Sequence, residues 1–316
     1  MEGKAPDFDA GFDDNGNLRS LAPGQPMVWT ARNQLDAVTL LARSAGDNDS
    51  ERYVYDAPGM RLRKVRRAHA ASVIRTAEVR YLPGLEIRTE GVSGTAVILQ
   101  VISLQAGRSS VRLLHWERGQ PDEIEEDQLR FSLDDHLGSS TLELDRQGKV
   151  ISYEGYYPYG GTAWWMGRSQ VEASYKFVRY SGKERDATGL YYYGFRYYAP
   201  WVQRWINPDP AGIADGLNLF CMVKNNPIAL SDTLGLYSGR DDDIEKQTLE
   251  NFEIAVRGRV DAEVEHLEAL DQAFELALDI LESASRSLEH GGEADDSLEN
   301  ASKGVSGFSS LCYQTT

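Results

Sequence analysis

A chain of 316 residues, 41% hydrophobic and 26% charged, has room for one or two domains and the make-up of a globular protein. Its formal net charge of -16 is concentrated at one end: residues 237–316 hold 19 acids and 6 bases, whereas residues 1–236 hold 30 and 27. That balance disfavours nucleic acid and anionic lipid as partners, and cysteines at only two positions, Cys221 and Cys312, exclude a disulfide framework.

The opening residues, MEGKAPDFDAGFDDNGN, lack the apolar run of a secretory signal, and no stretch long enough to span a membrane follows. Secretion, if it occurs, is expected to use a dedicated export route or a partner. In FDDNGNLRSL, residues 12–21, the Asn-Gly pair predicts a two-residue hairpin turn with both central positions at positive φ. WTARNQLDAVTL follows, with alternation only partly kept at Leu35, Val38 and Leu40. YVYDAPGMRLRKVRR, residues 53–67, repeats the order aromatic, Asp, turn, Leu, which is a weak internal repeat. Strands are predicted over residues 78–90 and 95–104, in SVRLLHWERG and QLRFSLDD, and on both sides of the Arg146-Gln147-Gly148 turn. Eleven of the sixteen tyrosines lie between Tyr153 and Tyr198. Interleaved with strand formers rather than basic residues, they read as rings covering a sheet face, not as a nucleic-acid groove.

After Leu236 the periodicity changes. Val256, Val260, Val264, Leu267, Leu270, Phe274, Leu278, Leu281 and Leu288 form one stripe of an amphipathic helix with an acidic opposite face. The fold class expected is mainly β, followed by a mainly α tail.

These residues resemble a known family. YVYDAPGMRLRKV is similar to the YD repeat of Rhs proteins, and DDHLGSSTLELDRQGKVISYEGYYPYGG to the start of the Rhs repeat-associated core. Residues 179–236, from RYSGKERD to SDTLGL, resemble the rest of that core, in wording most like the C component of insecticidal toxin complexes. The resemblance divides the chain into diverged YD-repeat strands (1–128), the core (129–236) and a variable acidic region (237–316). It implies a hollow β-shell whose core plugs one end, cuts the chain just after itself and leaves a downstream payload enclosed. Two or three YD units are too few for a whole shell, so the implied partner is a shell-completing toxin component or a further YD-repeat chain; a host target of the tail is left open.

Carried onto this sequence, the self-cleaving pair is Asp209 in NPDPAG and Asp232 in SDTLGL, with the cut between Leu236 and Tyr237. Two carboxylates that share a proton can hydrolyse a peptide without metal or cofactor: one takes a proton from water, the other donates one. Asp209 is assigned the base side and Asp232 its partner. By spacing alone both would be ordinary turn formers. Arg196 and Arg204 are candidate supports for the pair or structural ion-pair partners, and Gly235 belongs to the cleavage motif. Thr233 stands where the family commonly has proline, so a preset φ is lost and slower cleavage is expected. Lys183-Glu184-Arg185-Asp186 reads as an internal salt-bridge corner. His136, beside Asp134 and Asp135, has no second histidine near it, and no metal site is expected. No catalytic motif is readable after residue 236. The rival reading is a non-catalytic YD-repeat binding protein whose acidic helix docks a partner.

Overall fold

The computed structural model describes residues 11–239, apart from 45, 71–72, 93–94, 107–108 and 126. The predicted tail helix lies outside the described residues. The rest is mainly β, as expected. Twelve strands form one antiparallel sheet in strict chain order. They are β1 (Met27–Trp29), β2 (Leu35–Leu41), β3 (Asp49–Tyr55), β4 (Arg61–Ala70), β5 (Val73–Leu82), β6 (Leu85–Val92), β7 (Thr95–Ala106), β8 (Ser109–Arg118), β9 (Asp127–Asp134), β10 (Ser140–Leu144), β11 (Val150–Tyr156) and β12 (Thr162–Gly167). The sheet passes through residue 128 without a break, because β8 pairs with β9.

One turn device recurs before and between these strands. At Asp13, Asp56, Asp135 and Asp145 the backbone carbonyl accepts from a glycine three residues on, and Oδ1 accepts from the amide after that glycine. The side chain thus supplies a bond that a short loop cannot make within its own backbone. This corrects the first predicted turn: only Gly16, at φ 82°, is left-handed, and Asp13 rather than an Asn-Gly pair closes the loop. The imperfect alternation in β2 also has a cause. Met27 pairs with Val38 and Trp29 with Leu35, so the register slips at Asp36 and brings Leu35 and Val38 to the same buried side.

Residues beyond β12 pack against this sheet. A short helix, α1 (Gln170–Ser174), is capped by Ser169, whose Oγ accepts from the Glu172 amide. A small sheet follows in the order β13 (Glu184–Arg185), β14 (Tyr191–Tyr192), β15 (Tyr197–Ala199) and β16 (Arg204–Trp205), and then the pair β17 (Ser231–Asp232) and β18 (Ser238–Gly239). Leu35, Val38 and Tyr53 of the large sheet share a buried cluster with Leu190, Tyr197 and Ile206. Tyr180, Tyr191, Tyr193, Tyr198 and Trp205 form a second cluster; with Tyr197, five of the eleven crowded tyrosines are buried core, whereas Tyr153 and Tyr157 are exposed.

Candidate active site

The chain meets itself closely where two turns touch. Tyr193-Gly194-Phe195-Arg196 links β14 to β15, and residues 233–237 link β17 to β18. The Phe195 amide donates to the Leu234 carbonyl at 3.0 Å. Both turns need glycine at the contact. A Cβ on Gly194 (φ 105°) would lie 3.2 Å from the Leu234 oxygen, and one on Gly235 (φ 73°) 3.2 Å from the Arg196 nitrogen.

This approach brings Asp209 and Asp232 together around Arg196. The guanidinium is buried, lies 4.2 Å from the centroid of the Trp205 ring, and offers one nitrogen to both acids. Nη2 is 2.8 Å from Asp209 Oδ2 and 3.3 Å from Asp232 Oδ2. Nε donates to the Gly235 carbonyl at 2.5 Å and Nη1 to the Leu219 carbonyl at 3.2 Å. The remaining oxygens are also engaged. Asp209 Oδ1 accepts from the Ala211 amide at 2.8 Å; Asp232 Oδ1 accepts from Gly235 at 2.7 Å and Leu236 at 3.1 Å.

Asp232 therefore touches the residue on the upstream side of the expected cut. The downstream side is held as well: the Ser238 amide and hydroxyl donate to the two oxygens of Asp215, at 3.1 and 2.6 Å, and Lys224 pairs with Asp215 at 3.1 Å. β17 and β18 pair Asp232 with Ser238, so the Leu236–Tyr237 bond sits in a loop fixed at both ends, and Tyr237 is exposed. Nothing in the local spacing of GIADG singles out Asp215; its partner is 23 residues away in sequence.

Burial pushes the carboxyls of both Asp209 and Asp232 above the usual range. Arg196 opposes that rise at each, and at Asp232 the two amides and Lys183 add to the opposition without cancelling it.

Arg196 thus lies at the pair, whereas Arg204 does not. Arg204 is exposed and makes no ion pair with either aspartate; adjacent residues of β16 point to opposite faces, and the inward position is taken by Trp205. The expected internal corner at 183–186 is also corrected. Glu184 and Asp186 reach across to the large sheet, where Arg61 lies 2.6 Å from each, Lys64 2.9 and 2.6 Å, and Arg88 2.7 Å from Glu184. Lys183 turns the other way and donates to the Thr233 carbonyl at 2.6 Å. His136 Nε2 lies 2.7 Å from the Ile228 carbonyl oxygen.

No protein-family model matches the chain. Toxin subunits YenC2 and YenC1 of Yersinia entomophaga are each 53% identical to it, over 232 and 233 residues, 73% of this chain and 24% of theirs. The crystal structure of TcdB2-TccC3-Cdc42 matches with a TM-score of 0.71 at 53% identity, over 72% of this chain and 11% of that one. The chain is an Rhs/YD-repeat sequence, related to the C component of insecticidal toxin complexes. It spans about a quarter of the length of the curated relatives it matches. Among the described residues, no helix of this Rhs-type chain is long and apolar enough to cross a membrane.

Proposed function

We propose that this chain is the core and cargo portion of a toxin-complex subunit, and that the core (129–236) cuts the chain once, between Leu236 and Tyr237, to free residues 237–316. The observation that carries this reading is the single guanidinium nitrogen shared by Asp209 and Asp232, beside the loop that holds that bond. One arginine neutralises one carboxylate. Ionising the second would leave a buried carboxylate with no cation of its own in ion-pair contact, and burial pushes both carboxyls up, which favours a proton held by the pair. That is the state hydrolysis requires.

Water adds to the Leu236 carbonyl carbon as the ionised carboxylate takes its proton. The protonated partner delivers a proton to the Tyr237 nitrogen as the C–N bond breaks. The base now carries the proton that the acid has given up, so the pair still holds one; the new Leu236 carboxyl loses its own proton to the Tyr237 amine or to solvent, leaving a carboxylate and an amine. Because both acids bind the same nitrogen, the retained proton belongs to the pair as a unit. Arg196 also fixes the Gly235 carbonyl, one residue before Leu236, and so ties the bond to the acids that direct the water.

The partner we propose is a second toxin component that completes an enclosing wall. β1 and β12 each pair on one side only among the described strands, and β12 exposes Trp164, Trp165 and Met166 along that edge. The relative of known structure is seen together with TcdB2. Delivery outside the cell follows from the same reading.

Expression of the full chain tests the cut. Two fragments are expected, the second beginning at Tyr237 by N-terminal sequencing. A folded, protease-resistant, uncut chain overturns self-cleavage and favours the binding-protein alternative.

A further inference from the structure

The turn before the cut has three consecutive carbonyls, and each is held by a donor from the segment 183–196. Leu234 is held by the Phe195 amide and Gly235 by Arg196 Nε, while Thr233 is held by the Lys183 ammonium at 2.6 Å. The first two donors come from the turn that forms the site. Lys183 comes from a separate place, just before β13, and its nitrogen lies 5.2 Å from the centroid of the Tyr193 ring. Tyr193 in turn packs edge-on against Trp205, the ring that carries Arg196. One aromatic block therefore positions both cations of the site.

A neutral amide would serve as well to bind a carbonyl, and it would cost less to bury. Among the described residues Lys183 has no carboxylate within ion-pair distance, so its charge is not there to make a salt bridge. The acid it influences is Asp232, next in sequence to the residue whose carbonyl it holds. Burial lowers the Lys183 ammonium to about 8, with Asp232 opposing the fall, so it stays protonated at neutral pH. The restrained residue, Thr233, is also the one at which a proline would have fixed φ.

We propose that Lys183 is a positioning residue for self-cleavage: its ammonium pins the Thr233 carbonyl and holds the turn that carries Leu236 against Asp232. The inference rests on the self-cleavage reading and adds a residue to it.

The test follows the full chain through synchronised refolding and measures the first-order rate of cutting from pH 4 to 9, for wild type, Lys183→Met and Lys183→Arg. Near-ultraviolet circular dichroism reports whether each variant regains the packed aromatic core. Lys183→Met is expected to slow the cut at least tenfold and to move the pH profile upward, because Asp232 loses a neighbouring positive charge. Lys183→Arg is expected to recover most of the rate and the wild-type profile. Equal rates and profiles in wild type and Lys183→Met overturn the assignment, and so does an equal loss in both variants with an unshifted profile, which marks packing alone. If Lys183→Met does not refold, the Lys183→Arg profile decides: it must coincide with wild type for the proposal to stand. No cut in folded wild type overturns the self-cleavage reading itself, and the assignment with it.

Discussion

At Glu184 and Asp186 two carboxylates face three cations, Arg61, Lys64 and Arg88; at Asp209 and Asp232 two carboxylates share the guanidinium of Arg196. Both clusters are buried, and the small sheet supplies Glu184 on β13 to one and Arg196 in the β14–β15 turn to the other. The outcomes are opposite. Burial alone would raise Glu184, but Lys64, Arg88 and Arg61 outweigh it and hold that carboxyl well below its ordinary value. At Asp209 and Asp232 burial wins. The number of cations in ion-pair contact per acid separates a cluster that ties two sheets together from one whose carboxyls burial pushes up.

The comparison can be broken most severely at the pair. Asp232→Asn or Asp209→Asn removes one member and is expected to slow cutting by about 10³-fold or more, leaving one band where wild type gives two. At the matched cluster, Asp186→Asn leaves Arg61 and Lys64 short of a buried partner. A loss of about 3–5 kcal/mol in urea unfolding is expected there. Glu51 sharpens the contrast because it is the least neutralised acid near the matched cluster: burial and Asp186 raise it to about 7, against Lys64, a bond from the Tyr53 hydroxyl, and Arg61. Its folded value lies above the unfolded one, so its contribution is fully present below the unfolded pKa and is lost as pH rises through about 7. Glu51→Gln is therefore expected to be flatter than wild type between pH 5 and 8, gaining up to about 3 kcal/mol at the upper end. The smallest effect belongs to Arg204→Ala. Its side chain is exposed and away from the pair, and both the cut and the stability should stay within about 0.5 kcal/mol of wild type.

The strands were legible because turn chemistry and alternation are local: the hairpin around Gly148 and the strands β8 and β9 could be read from a few residues each. The bulge at Asp36 was not, since it depends on which residue of β1 each residue of β2 faces. At the site, the aspartates were found through family resemblance; their spacing alone would have left them as turn formers. Arg196 could be named as a candidate but not separated from Arg204, because the face of a two-residue strand is set by tertiary packing. Lys183 and its three charged neighbours looked self-contained in sequence. The partners of Lys183, Glu184 and Asp186 lie 50 to over 100 residues away, and no local pattern reports that.

The central claim is that water, directed by the aspartate pair, severs one peptide bond. Refolding the full chain in ¹⁸O-labelled water and weighing the products tests it directly. The account predicts an upstream fragment ending at Leu236 with one heavy oxygen in its new carboxylate, beside a downstream fragment starting at Tyr237. A folded chain that keeps its full mass, or one cut at another bond, contradicts it.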